Sequence, residues 1–173
     1  MIPNAFAENL YYYVEPIPIW VSPDYFAASM GLYETTIRLS FLGWSTANPN
    51  LNFIETTSPS KADIQVAWVK EFGTGIGGHA INQWYIEVEL GTDALHTTWQ
   101  PYSVAYVGYI LTHEIGHTLG VRHNNDPNNI MYKTAIPVSF GLVEINKQVQ
   151  SGWGSFFSFF SFCGRGEPEY QRH

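Results

Sequence analysis

The sequence predicts a single α+β domain, on three observations. Apolar residues recur at spacings of three and four over 22–47 and again over 101–119, the period of helices. Between these stretches lie short segments rich in Val, Ile, Tyr and Trp, the composition of strands. The chain has 173 residues, 45% of them hydrophobic and 13% charged, which suits one globular domain with a sizeable core.

Residues 10–21 mix β-favouring side chains with Pro16 and Pro18, so an extended edge segment is expected there and not a central strand. Ser22 and Pro23 suit the N-cap and first position of a helix. Its core stripe is expected to be Phe26, Met30, Tyr33, Ile37, Phe41 and Trp44, with Gly31 and Gly43 as points where it could break. After Asn48-Pro49-Asn50 the pattern turns to strand at Leu51 and Phe53 and again over 62–69, with a loop at 56–60. The glycines at 73, 75, 77 and 78 formally satisfy G-x-G-x-x-G. A phosphate-binding loop would need a helix to open at the last glycine, whereas 83–90 alternates as a strand does. That argues against a nucleotide and for a flexible connection at the rim of a cleft.

The second helix is expected over 101–119, with Val104, Val107, Leu111, Ile115 and Leu119 as its core face and Gly108 as a point where a strand approaches. Its opposite face carries the chemistry. His113 and His117, four apart, project together and can hold one ion as a pair. Glu114 sits beside them and can reach a water at that ion without taking a coordination position. Gly120 falls where the helix would end in a left-handed residue, and the turn carries His123 back toward the ion. Three imidazoles leave a fourth position open, the pattern of a catalytic zinc site and not of a closed structural one. The full H-E-x-x-H-x-x-G-x-x-H spacing arises in only on the order of a few in 10⁵ shuffled chains of this composition, so scattered histidines on a polar helix are a poor alternative.

With Met131 following in Asn129-Ile130-Met131-Tyr132, this extended motif resembles the metzincin signature, and the segment from His123 to Tyr132 resembles that of the matrixins, the matrix-metalloprotease-like branch. Asn124 stands where matrixins usually have serine. The resemblance covers 15–154 and implies a metzincin-type fold of two subdomains: an upper one with a twisted mixed β-sheet and the active-site helix, and a lower one after Gly120 with the Met-turn. It implies a zinc metalloendopeptidase acting on protein or peptide substrates, with His113, His117 and His123 as ligands, Glu114 as general base and Met131 as a packing element beneath the site. His79-Ala80 resembles one fragment of a second, structural zinc site of that family, but its partners are missing. His79 and His96 are therefore expected to be ordinary surface or hydrogen-bonded histidines. A non-catalytic zinc-binding or interaction module on the same scaffold is the alternative function.

Beyond the motif, 133–140 is expected to be irregular and to line the pocket for the residue after the scissile bond, and Leu142, Ile145 and Val149 to mark a short last helix. The domain is expected to span 1–154. The remaining tail, 155–173, carries Phe156, Phe157, Phe159, Phe160 and Phe162 before Cys163, the chain's one cysteine. Matrixins are kept latent by a propeptide cysteine, and an inhibitory tail with Cys163 as fourth zinc ligand is the corresponding expectation here, from the opposite end of the domain. A net charge of -7 with only 8 Lys and Arg argues against nucleic acid and anionic membranes as partners. No segment reaches the roughly 18 apolar residues of a membrane span. Ala5-Phe6-Ala7 resembles a signal-peptidase site, which favours secretion. A monomer is expected.

Overall fold

Helix α1, Pro23–Ala47, opens at Ser22 and Pro23 as the sequence predicts, although the Ser22 side chain makes no capping hydrogen bond. It belongs to the computed structural model of the chain, which describes residues 8–73, 75–93, 98–127 and 129–133. The helix runs unbroken through Gly31 and Gly43, each of which costs a helix about 1 kcal/mol relative to Ala. The predicted stripe outweighs that cost. Phe26, Tyr33 and Phe41 are almost wholly buried, and each large apolar side chain so placed contributes about 1.5–3 kcal/mol.

Five strands form a mixed sheet in the order β2-β1-β3-β5-β4, from β1 (Glu8–Val14), β2 (Leu51–Glu55), β3 (Ile64–Val69), β4 (Gly78–Ile81) and β5 (Tyr85–Glu89). The first four in that order are parallel, with Leu10 opposite Phe53, Tyr12 opposite Ile64 and Val66 opposite Ile86. β4 pairs antiparallel with β5 at the edge, Ala80 opposite Ile86. The expected edge segment at 10–21 is thus corrected: β1 lies inside the sheet. Its strand ends at Val14, before Pro16 and Pro18, so no ladder N–H is lost to a proline. The prolines fall instead where the chain leaves the sheet for a 3-10 turn at Ile19–Val21.

A second correction concerns the glycine-rich connection. Part of it is strand β4, whose four residues are too few to show an alternation in the sequence. The helix predicted over 101–119 is α2, Val104–Thr118. It starts later than expected because Gln100–Pro101 (β7) pairs with Gly91–Thr92 (β6), and because Ser103 caps the helix by accepting from the Tyr106 N–H at 3.2 Å. α1 packs against β2 and against α2, while α2 packs against β4 and β5. Tyr12 stacks on Phe41 with ring centroids 3.8 Å apart, and Val107, Leu111 and Ile115 bury the predicted face of α2. At Gly108 the neighbour is not a strand but α1, whose Ser40 hydroxyl donates to the Gly108 carbonyl at 3.3 Å. No described helix is long and apolar enough to cross a membrane.

Candidate active site

The last turn of α2 presents His113 and His117 on one face and is closed by a left-handed glycine. Gly120 has φ of 81°, its N–H donates to the His117 carbonyl at 3.0 Å, and the Val121 N–H donates to the Gly116 carbonyl at 2.9 Å. This pair of bonds is the Schellman closure, which only a residue free of Cβ strain completes at no cost. The chain turns back at once and delivers His123.

Backbone pairing fixes that return. The Asn124 N–H donates to the Met131 carbonyl at 2.6 Å and the Lys133 N–H to the Asn124 carbonyl at 3.2 Å, so the third histidine is tied to the turn that carries Met131. Asn124 also accepts from the Asp126 N–H through Oδ1 at 2.6 Å. Asparagine at the position where matrixins usually have serine thus still supplies a turn-forming oxygen.

The three Nε2 atoms converge. His117 lies 3.2 Å from His113 and 3.1 Å from His123, and His123 lies 3.2 Å from His113. The outer nitrogens decide the tautomers: His113 Nδ1 contacts the Ile130 carbonyl at 2.7 Å and His117 Nδ1 the Val121 carbonyl at 2.9 Å. A carbonyl only accepts, so each Nδ1 carries the proton and each Nε2 is a bare lone pair. Two bare nitrogens facing at 3.2 Å have no proton to share, and a cation between them relieves the repulsion. Nitrogens held tetrahedrally at about 2.0–2.1 Å from zinc are about 3.3 Å apart, close to the spacing seen. Burial lowers the His113 pKa to about 4, against the opposing pull of the Ile130 carbonyl, and lowers that of His117 in the same direction. His113 is therefore neutral at physiological pH, and the shift in His117 favours the same neutral form, the one that binds metal.

Glu114 faces the same cleft, an open cavity of about 520 Å³ with His113, His117, His123, Tyr109 and Tyr132 among its lining. It is only 7% exposed. Burial raises its pKa to about 7, offset in part by a hydrogen bond from the Ala80 backbone. Met131 is 2% exposed and lies against Gly116, on the helix between the two ligand candidates.

A family model described as matrixin matches residues 25–150. The chain belongs to the matrixin family. Karilysin of Tannerella forsythia is 32% identical over 115 residues, which is 57% of this chain and 24% of karilysin. Macrophage metalloelastase of Oryctolagus cuniculus is 30% identical over 123 residues, 65% of this chain and 25% of that protein. Matrilysin of Homo sapiens is 40% identical over 62 residues, 36% of this chain and 20% of matrilysin. The chain thus spans about a quarter or less of the length of these relatives. The mixed sheet and the two helices agree with the α+β fold that the matrixin resemblance implied.

In this matrixin domain His79 is exposed on β4 and lines the cleft, and among the described residues no cluster of three or more metal-ligating side chains includes it. His96, the predicted last helix, the tail and Cys163 lie outside the described residues. Sequence reasoning missed the part played by β4: Gly78 and Ala80 approach Glu114, and only their place just before a strand in a glycine-rich run hinted at it.

Proposed function

We propose that this chain is the catalytic domain of a zinc-dependent endopeptidase, hydrolysing peptide bonds in protein or peptide substrates. The observation that supports this most is the convergence of three imidazole Nε2 atoms at 3.1–3.2 Å beside a buried carboxyl in one open cleft. His113, His117 and His123 would hold the ion through Nε2, and zinc held by three protein ligands supplies Lewis acidity to a carbonyl and to water. Glu114 accepts the proton of the attacking water on its carboxylate and returns it to the leaving amine. A hydrogen bond from the Ala80 backbone favours the carboxylate form and ties the side chain to β4. Met131 packs beneath the site and takes no coordination position.

Substrate recognition follows from β4. The bond from the Glu89 N–H to the Gly77 carbonyl, 2.8 Å, just before β4, sets a register in which the peptide groups of Gly78 and Ala80 turn away from β5, the Ala80 backbone also bonding Glu114. An extended peptide can lie along that edge and cross the histidines.

The proposal takes 1–154 as the catalytic domain and 155–173 as an inhibitory tail, in which Cys163 would occupy the fourth position. Secretion is proposed from Ala5-Phe6-Ala7. The test is zinc content with digestion of an unfolded protein. One zinc per chain, cleavage, loss of cleavage with a chelator and recovery with zinc are expected. A zinc-loaded chain that cleaves nothing, even as Cys163→Ala, would instead be a non-catalytic binding module.

A further inference from the structure

Helix α1 meets α2 through two hydrogen bonds spaced one helical turn apart on both partners. Ser40 Oγ shares its proton between the Thr36 carbonyl of its own helix at 3.0 Å and the Gly108 carbonyl at 3.3 Å, and four residues on Trp44 Nε1 donates to the Thr112 carbonyl at 2.9 Å. The lower rung is five residues from the nearest imidazole. The upper rung is on the peptide unit that joins Thr112 to His113.

Trp44 does more than donate. A Cβ built on Gly116 would lie 2.7 Å from Trp44 Cζ2, and it would also meet Met131 Sδ. Gly116 is therefore the gap in α2 that lets the indole and the thioether close on the helix between His113 and His117. Met131 follows Ile130, whose carbonyl holds His113 Nδ1. One indole thus sets the backbone before the first ligand and abuts, across Gly116, the turn that orients the same ring.

We propose that Trp44 is a positioning residue of the metal site, acting through the Thr112 carbonyl and Gly116 on His113 and His117. The inference rests on these histidines holding zinc. Ligand geometry in such sites depends on groups behind the ligands, whose loss typically lowers metal affinity about 10–100-fold. Trp44 acts through backbone, so the lower figure applies.

The experiment compares Trp44→Phe, which keeps a ring and loses the N–H, with Ser40→Ala, which removes the lower rung together with the bond of the same hydroxyl to the Thr36 carbonyl of its own helix. Zinc affinity is measured by competition with a chromophoric chelator, ligand geometry by the visible absorption of the cobalt-substituted protein, and stability by thermal melting. Trp44→Phe is expected to weaken zinc about tenfold and to shift the cobalt bands. Ser40→Ala is expected to lower the melting temperature while leaving zinc affinity and cobalt bands as in the parent. Trp44→Phe with the parent's affinity and spectrum would overturn the inference, as would equal zinc weakening in both variants. Should Trp44→Phe not fold, the parent labelled with ¹⁵N-tryptophan decides: the Trp44 indole N–H signal is expected to move on zinc loading, and an unmoved signal overturns the inference. A parent that binds no zinc would sink the metal assignment itself, an outcome separate from these.

Discussion

Gly78 on the edge strand faces Glu114 so closely that a Cβ on Gly78 would lie 2.8 Å from Glu114 Cγ and 2.9 Å from Oε1, as well as 2.5 Å from Ile110 Cγ2. The glycine is required by contact and not by backbone conformation, since its φ is not in the left-handed region. Gly78→Ala must displace either the strand or the carboxyl. Overpacking of this kind costs about 1–3 kcal/mol. A shift of about 1 Å in a reacting group can cost up to about 10²-fold in rate. Gly78→Ala is expected to bind zinc as the parent does while its kcat falls at least about tenfold. An unchanged kcat would show that the strand yields and that Glu114 keeps its place.

Removing the carboxyl itself separates binding from chemistry. Glu114→Ala is expected to keep zinc and fold, because Glu114 lies beside the imidazoles and not among them, and to lose about 10²–10⁴-fold in hydrolysis. An active, zinc-loaded Glu114→Ala protein would place the base elsewhere.

His113→Ala and His117→Ala each take one of three converging nitrogens away. Each is expected to lose stoichiometric zinc by elemental analysis. Both His113 and His117 also bond a backbone carbonyl, so a drop in melting temperature should accompany the loss. Full zinc in both variants would sink the ligand assignment.

The convergence of the three histidines is legible in the sequence because it is local. Four-residue spacing on a helix places His113 over His117 whatever surrounds them, and a glycine at the helix end returns the chain by a motif written in consecutive residues. The long stripe of α1 was legible for the same reason. What the sequence left hidden is non-local: β1 lies inside the sheet because β2 and β3 pair to either side of it, and no residue of 8–14 records that choice. β4 is too short to have a period, and its importance comes from Ala80 and Gly78 meeting a helix some 30 residues further along. The period of α1 marks Trp44 only as core, since its hydrogen bond to Thr112 links residues 68 apart in the chain.

Glu89 gives the pH dependence a group outside the cluster of His113, His117, His123 and Glu114. Its side chain is buried, with Oε1 accepting from the Phe72 N–H at 2.7 Å and Oε2 from the Tyr102 hydroxyl at 2.9 Å. Burial raises its pKa, and those two hydrogen bonds only partly oppose the shift. The folded chain therefore holds this proton to higher pH than the unfolded chain does. As pH rises from the ordinary carboxylate range through the raised value, the folded state loses the associated stability, and above it the loss is complete. Glu89→Gln does not titrate there. The melting temperature of the parent relative to Glu89→Gln is expected to fall across that window and then level off. A constant difference across it would show that Glu89 titrates normally.

Latency through Cys163 is the remaining prediction. An extended chain covers about 3.3–3.6 Å per residue, so the stretch from Gly154 to Cys163 spans about 30 Å, enough to return across a domain of this size. A thiol that coordinates zinc is deprotonated outright, and three imidazoles leave one position for it. The phenylalanines before Cys163 would then fill apolar parts of the cleft. Cys163→Ala and a chain ending at Gly154 are expected to cleave an unfolded protein faster than the parent. In the parent, Cys163 is expected to react slowly with a thiol reagent until zinc is chelated. Equal cleavage by all three proteins, together with equal thiol reactivity before and after chelation, would leave Cys163 with no part in the site.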